Sequence, residues 1–174
     1  YGEFEFWFSL LKVLAIVGFI VVAGSWAFGI TSPAGATFAN LTAHGGFAPA
    51  GWGGVLAAAA STIFALCGAE ISTIAAAESA EPAKAVARLS LSVTVRIVVF
   101  YLLSLLMIVA VVPWQQIEPG YSPFAATLAA MHVPGGETIM NLVVLVAVLS
   151  CLNSGLYVTS RTLFHLASHG RSEE

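Results

Sequence analysis

Along the chain, apolar residues gather into four long runs separated by stretches rich in Pro, Gly and polar residues. The runs cover about residues 6–28, 52–76, 93–112 and 139–160. Each is long enough to cross a hydrocarbon core, which takes roughly 20 helical residues at about 1.5 Å of rise each. Transmembrane strands alternate apolar with polar positions over about ten residues, and no such alternation is seen. The pattern predicts an all-α integral membrane chain of four transmembrane helices. A short connection covers about 77–92, and longer ones cover about 29–51 and 113–138.

Composition identifies the solvent. Of the 174 residues, 59% are hydrophobic and 9% charged, against roughly 25% charged in a soluble protein. Disorder is excluded by the apolar content. Nucleic acid is excluded as a partner, because the six Lys and Arg form no patch. Cys67 and Cys151 lie in apolar runs without metal-type or framework spacing. No cofactor is implied. The chain opens on Tyr1 with no basic leader before its first apolar run, so a signal peptide is not expected. It reads as an internal piece of something longer.

The basic residues then set the orientation. Lys84, Arg88 and Arg96 lie in or beside the 77–92 connection, and Arg161 and Arg171 follow the fourth run. The two longer connections contain no Lys or Arg. The positive-inside rule makes the basic side cytoplasmic, which predicts a multi-pass protein of the cytoplasmic membrane. Trp26, Trp52 and Trp114 fall near the expected outer boundaries, where indole rings prefer to sit.

Lys12, the remaining basic residue, lies inside a span. With the first run centred near Val17, Lys12 lies roughly 7–8 Å to the cytoplasmic side of the midplane. The same reckoning places Glu70 roughly 9 Å to that side. Ser150, Asn153 and Ser154 begin near the midplane and continue into the same half. A charge at the bilayer centre costs at least about 2.5–3.5 kcal/mol. Lys12 and Glu70 therefore either snorkel to the near interface or face a wet interior in a proton-titrating or gating role. Around Glu70 the second run places Phe64, Ala65, Leu66, Cys67 and Gly68. Gly68 either permits close packing of a neighbouring helix or marks a broken helix of the kind that binds substrate in transporters.

Other candidates are weaker. His165 and His169 sit four apart, which suits a solvated helix end better than a shared metal, and His44 and His132 lie in external connections without ligand spacing. Asn153-Ser154-Gly155 lacks the glycine two before the serine that an intramembrane protease needs, because residue 152 is Leu. Glu118 and Glu137 are expected in a solvated re-entrant or surface helix.

These residues resemble a family. Gly2-Glu3-Phe4-Glu5-Phe6-Trp7-Phe8 with Lys12 resembles the start of the fifth helix of bacterial amino acid permeases, in the amino acid–polyamine–organocation superfamily. Residues 64–70 are similar to the family's sixth-helix Phe-x-x-x-Gly-x-Glu signature. Glu78-Ser79-Ala80-Glu81-Pro82-Ala83-Lys84 resembles the cytoplasmic motif that follows, with Glu81 where Asn is usual. Arg96-Ile97 to Tyr101, Pro113-Trp114, Ser122-Pro123-Phe124 and Leu152-Asn153-Ser154-Gly155-Leu156-Tyr157 to Arg161 continue the match. It covers the whole chain and is nearest to the GABA permease-like and general amino acid permease group.

The resemblance implies helices five to eight of a twelve-helix, leucine-transporter-type inverted repeat, with the other helices as necessary partners. It implies that Phe64 closes over an amino acid substrate, and that backbone at Ala65, Leu66, Cys67 and Gly68 meets its amino group. It gives Glu70 to proton sensing and the inner gate, and gives the Lys12 ammonium the place of a sodium ion, near Asn153 and Ser154. The expected function is amino acid import by proton symport. Amino acid exchange and a structural four-helix subunit are the alternatives.

Overall fold

A computed structural model describes residues 2–46, 48–65 and 82–168. The described residues form helices and no strand. Six α-helices follow in order: α1 (Gly2–Ala27), α2 (Asn40–Ala43), α3 (Gly51–Ala65), α4 (Pro82–Val111), α5 (Pro123–Ala130) and α6 (Gly136–Ser168). A single 3-10 turn, Trp114–Gln116, lies between α4 and α5. Three stretches are long and apolar enough to cross a membrane: Phe6–Ala27, Leu91–Val111 and Gly136–Ser168. The described part of the second apolar run, α3, is shorter, and residues 66–76 of that run lie outside the described residues.

α1 packs against α4, α5 and α6, and its exit is built with care. Gly29, at φ +78°, donates its N–H to the Trp26 carbonyl, and Ile30 donates to that of Ser25, both at 2.9 Å. This paired closure satisfies carbonyls that the helix end leaves without partners. Only glycine fits. Besides the positive φ, a Cβ on Gly29 would come 2.7 Å from the Ala36 nitrogen.

α4 starts at Pro82, so residues 82–92 are helix where a connection was expected. Hydrophobicity marks the thickness of the hydrocarbon and not the end of a helix. Here Pro82 suits a first helical position, and Ala83, Lys84, Ala85, Ala87, Arg88 and Leu89 are strong helix formers. The far end of α4 is capped from a distance. The Asn40 side-chain amide donates to the Ala110 and Val111 carbonyls at 2.9 and 3.4 Å.

The 113–138 connection carries a short helix, α5, where a solvated re-entrant or surface helix was expected, but it folds inward and buries Ala125, Thr127 and Leu128. The Ser122 hydroxyl accepts from the Ala125 N–H, and Pro123 opens the helix. Its exit repeats the closure at Gly29: His132 donates to the Ala129 carbonyl at 2.9 Å and Val133 to that of Leu128 at 3.1 Å. Here the left-handed position, φ +55°, is held by His132. α6 then turns back tightly, since a Cβ on Gly136 would come 3.0 Å from that of Leu128. Glu118 and Glu137 are exposed as expected, but neither lies in the inserted helix: Glu118 precedes α5, and Glu137 is in the first turn of α6, where a carboxylate suits the dipole.

The core gathers at the end of the bundle that carries these connections. Phe19, Ala23 and Ala27 of α1 meet Met107, Ile108 and Val111 of α4, Ala125 and Leu128 of α5, and Met140 of α6. Ala23 and Ala27 are fully buried, and their small side chains let helices approach closely. The Phe19 and Phe124 rings meet edge to face, with centroids 4.9 Å apart.

Candidate functional site

Below that core, α1 and α6 are joined by a polar contact. Lys12 is half-buried on α1, and its Nζ donates to Ser150 Oγ at 2.8 Å. Ser150 is only 1% exposed. The ammonium is thus turned into the protein instead of running out along the helix, and among the described residues no carboxylate pairs with it. A neutral hydroxyl supports the charge without cancelling it. Asn153 and Ser154 follow at three and four positions along α6, which places them on the Ser150 face. Both are half-buried, and each has a partner.

Beside this contact lies a cavity of about 170 Å³. Lys12, Ala15 and Ile16 form one wall, Met140, Val143 and Ala147 the other, and Phe124 contributes from α5. The lining is apolar throughout, so Lys12 contributes its aliphatic stem to this space while its ammonium is turned to Ser150. Ile16 and Phe124 also line a second recess, between α1 and α4. Ser150 was legible as part of the polar triplet, and its i, i+3, i+4 relation to Asn153 and Ser154 marks the shared face. Phe124 carried no comparable signal, because its place depends on α5 folding inward.

The residues expected to meet substrate are only partly described. Phe64 and Ala65 close α3 in helical conformation. Leu66, Cys67, Gly68 and Glu70 lie outside the described residues. Of the intramembrane groups expected at one depth, the structure therefore brings Lys12 together with α6. Among the described residues no three His, Cys, Asp or Glu side chains gather into a metal-binding group.

The other end of the bundle is tied by polar contacts between connections. Trp114 Nε1 donates to the His44 carbonyl at 3.1 Å. Tyr121 is hydrogen-bonded to Glu137, and this bond, with smaller contributions from burial and from the carboxylate's charge, raises the phenol above its ordinary value of 10.0.

Comparison with known proteins adds the lineage. The family model described as "Amino acid permease" matches residues 1–171. The gamma-aminobutyric acid permease of Bacillus subtilis (strain 168) is 46% identical over 99% of this chain and 37% of its own length. A probable GABA permease of Pseudomonas aeruginosa is 47% identical over 98% of the chain and 36% of its length. The D-serine/D-alanine/glycine transporter of Escherichia coli O6:H1 is 40% identical, again over 98% of the chain and 37% of its length. The chain thus spans little more than a third of the relatives it matches. No solved structure matches it. The match along nearly its full length, the apolar helices and the helical fold lead to one statement: this chain belongs to the amino acid permease family, as a multi-pass membrane segment.

Proposed function

We propose that the chain is a segment of a secondary transporter that imports a small zwitterionic amino acid across the cytoplasmic membrane in symport with a proton. The observation that carries the reading is the Lys12–Ser150 bond. It is a cation held by a neutral oxygen between two spanning helices, at a depth where a charge without function is costly. A fixed ammonium there supplies positive charge without a bound metal ion, which favours sodium-independent transport. Glu70, with its carboxyl in the second apolar run, is the proton-responsive group and works with Asn153 and Ser154 at the inner gate. Phe64 and the backbone from Ala65 to Gly68 receive the substrate. The named substrates of the relatives make γ-aminobutyric acid the first to test, ahead of D-serine, D-alanine and glycine. The basic ends of α4 and α6 face the cytoplasm.

The test uses the full-length protein carrying this segment, in proteoliposomes, with radiolabelled γ-aminobutyric acid. Uptake should follow an imposed pH gradient, require no sodium and disappear in Glu70→Gln at unchanged protein level. Undiminished gradient-driven uptake by that variant overturns the proton role. Uptake that depends on preloaded amino acid instead of on the gradient identifies exchange.

A further inference from the structure

The recess between α1 and α4 that shares Ile16 and Phe124 with the Lys12 cavity is larger, about 430 Å³, and open. Val13 and Ile16 form its α1 side, and Ile97, Phe100 and Leu105 its α4 side. Arg96 also lines it. A second apolar recess of about 530 Å³ runs along α4 on the other side of Arg96, and it shares both Arg96 and Phe100 with the first. One cation thus stands where two apolar recesses meet.

The guanidinium is set for an anion from outside the described fold. Arg96 is exposed, lies five residues inside the Leu91–Val111 span, and pairs with no carboxylate among the described residues. Its Nη2 donates to Ser92 Oγ at 3.2 Å. Ser92 is one turn nearer the α4 start, so the bond aims the side chain toward that surface of the membrane, as snorkelling requires. Lys84 and Arg88 lie further along in the same direction. The planar fork of an arginine suits a phosphate diester oxygen pair, and a basic pocket between spanning helices is a usual setting for an anionic headgroup.

We propose that this junction is a binding site for one anionic diacyl phospholipid, with its phosphate on Arg96 and its two acyl chains in the recesses on either side. The charge selects the headgroup, and the paired recesses select a two-chain lipid over a soluble phosphate. The site is separate from the Lys12 cavity, with the Ile16 and Phe124 side chains forming the wall between them.

The test is native mass spectrometry of the full-length protein titrated with phosphatidylglycerol or with phosphatidylcholine. The unmodified protein should retain phosphatidylglycerol preferentially. Arg96→Gln should weaken that retention about fivefold, the share of one basic residue at an anionic surface, and leave phosphatidylcholine unchanged, whereas Arg96→Lys, which keeps the charge and loses the fork, should weaken it less. Ile97→Trp, which fills a recess and leaves the charge, should also lower phosphatidylglycerol retention. Equal retention of the two lipids by the unmodified protein, no retention at all because a further helix covers the junction, or retention indifferent to Arg96→Gln and Ile97→Trp overturns the proposal.

Discussion

The two ends of the helix bundle are built on different terms. At the end carrying the connections, α1, α4, α5 and the start of α6 close on one another: Ala23, Ala27, Ala110 and Ala125 are completely buried. At the other end the same long helices stand with their apolar faces open, as at Leu91, Leu156 and Phe164, which are 69%, 72% and 77% exposed. α3 is open along nearly all of its described length. The buried share of each spanning window is between 11% and 22%. In water such faces would drive collapse. In a bilayer lipid tails are as apolar as leucine, so helices gain little from merely hiding apolar surface and are held by close packing and hydrogen bonds. The first end has close packing, supplied by small residues and an inserted helix. The second carries, among the described residues, the charged hydrogen bond from Lys12 to Ser150 that joins α1 to α6, with Asn153 and Ser154 also partnered beside it.

This contrast can be broken most severely at Gly29. Gly29→Ala forces a side chain into a left-handed position and against the Ala36 backbone. It should destabilise the connection end by about 2 kcal/mol or more, read as a lowered thermal midpoint of the full-length protein in detergent. A midpoint unchanged within error would show that the packed end does not depend on this closure.

At the open end the expected effects are smaller and depend on which partner is removed. Ser150→Ala leaves the Lys12 ammonium buried without its acceptor and should cost about 1–3 kcal/mol. Lys12→Met removes the charge itself and should cost less, while abolishing uptake. If Ser150→Ala is the milder of the two in thermal unfolding, the ammonium has another acceptor and the bond is not what joins α1 to α6.

His132 provides the converse of Gly29. The same helix closure with a side chain at φ +55° is strained, so His132→Gly should stabilise by up to about 1 kcal/mol. A loss of stability on that change would mean that the imidazole makes a contact worth more than the strain.

The smallest effect concerns Tyr121. Its phenol is raised by the hydrogen bond to Glu137, so the folded protein favours the protonated form. That contribution is fully present below about pH 10, the ordinary phenol value, and is lost as pH rises through the raised one. Tyr121→Phe should flatten the alkaline fall in thermal stability slightly. An unchanged alkaline profile would remove this tie from the account of the packed end.

The open end was the more legible of the two in the sequence. Apolar run length converts directly to membrane thickness, and helical rise converts a residue number to depth, so Lys12, Asn153 and Ser154 could be set in one half of the bilayer, with Ser150 near the midplane, before any coordinates. The packed end resists such arithmetic. Residues 123–130 are too few to span and sit among Pro and Gly, so they read as connection. What draws them inward is tertiary: the Phe19–Phe124 ring contact, the close turn at Gly136, and Asn40 reaching across to the end of α4. The start of α4 at Pro82 was missed for a different reason, since nothing in hydropathy distinguishes a helix that leaves the bilayer from a coil that does. The segment from Leu66 to Glu70 rests on family resemblance.

The bond between Lys12 and Ser150 joins positions 138 residues apart, and a ribosome does not make them together. At about 5–20 residues per second, the serine follows the lysine by roughly 7–28 s. During that interval α1 is already long enough to enter the bilayer, but the hydroxyl that accepts its ammonium does not exist. The tie between α1 and α6 through this bond can therefore form only after α6 has been made, and until then the lysine stem is able to carry the charge toward the near membrane surface.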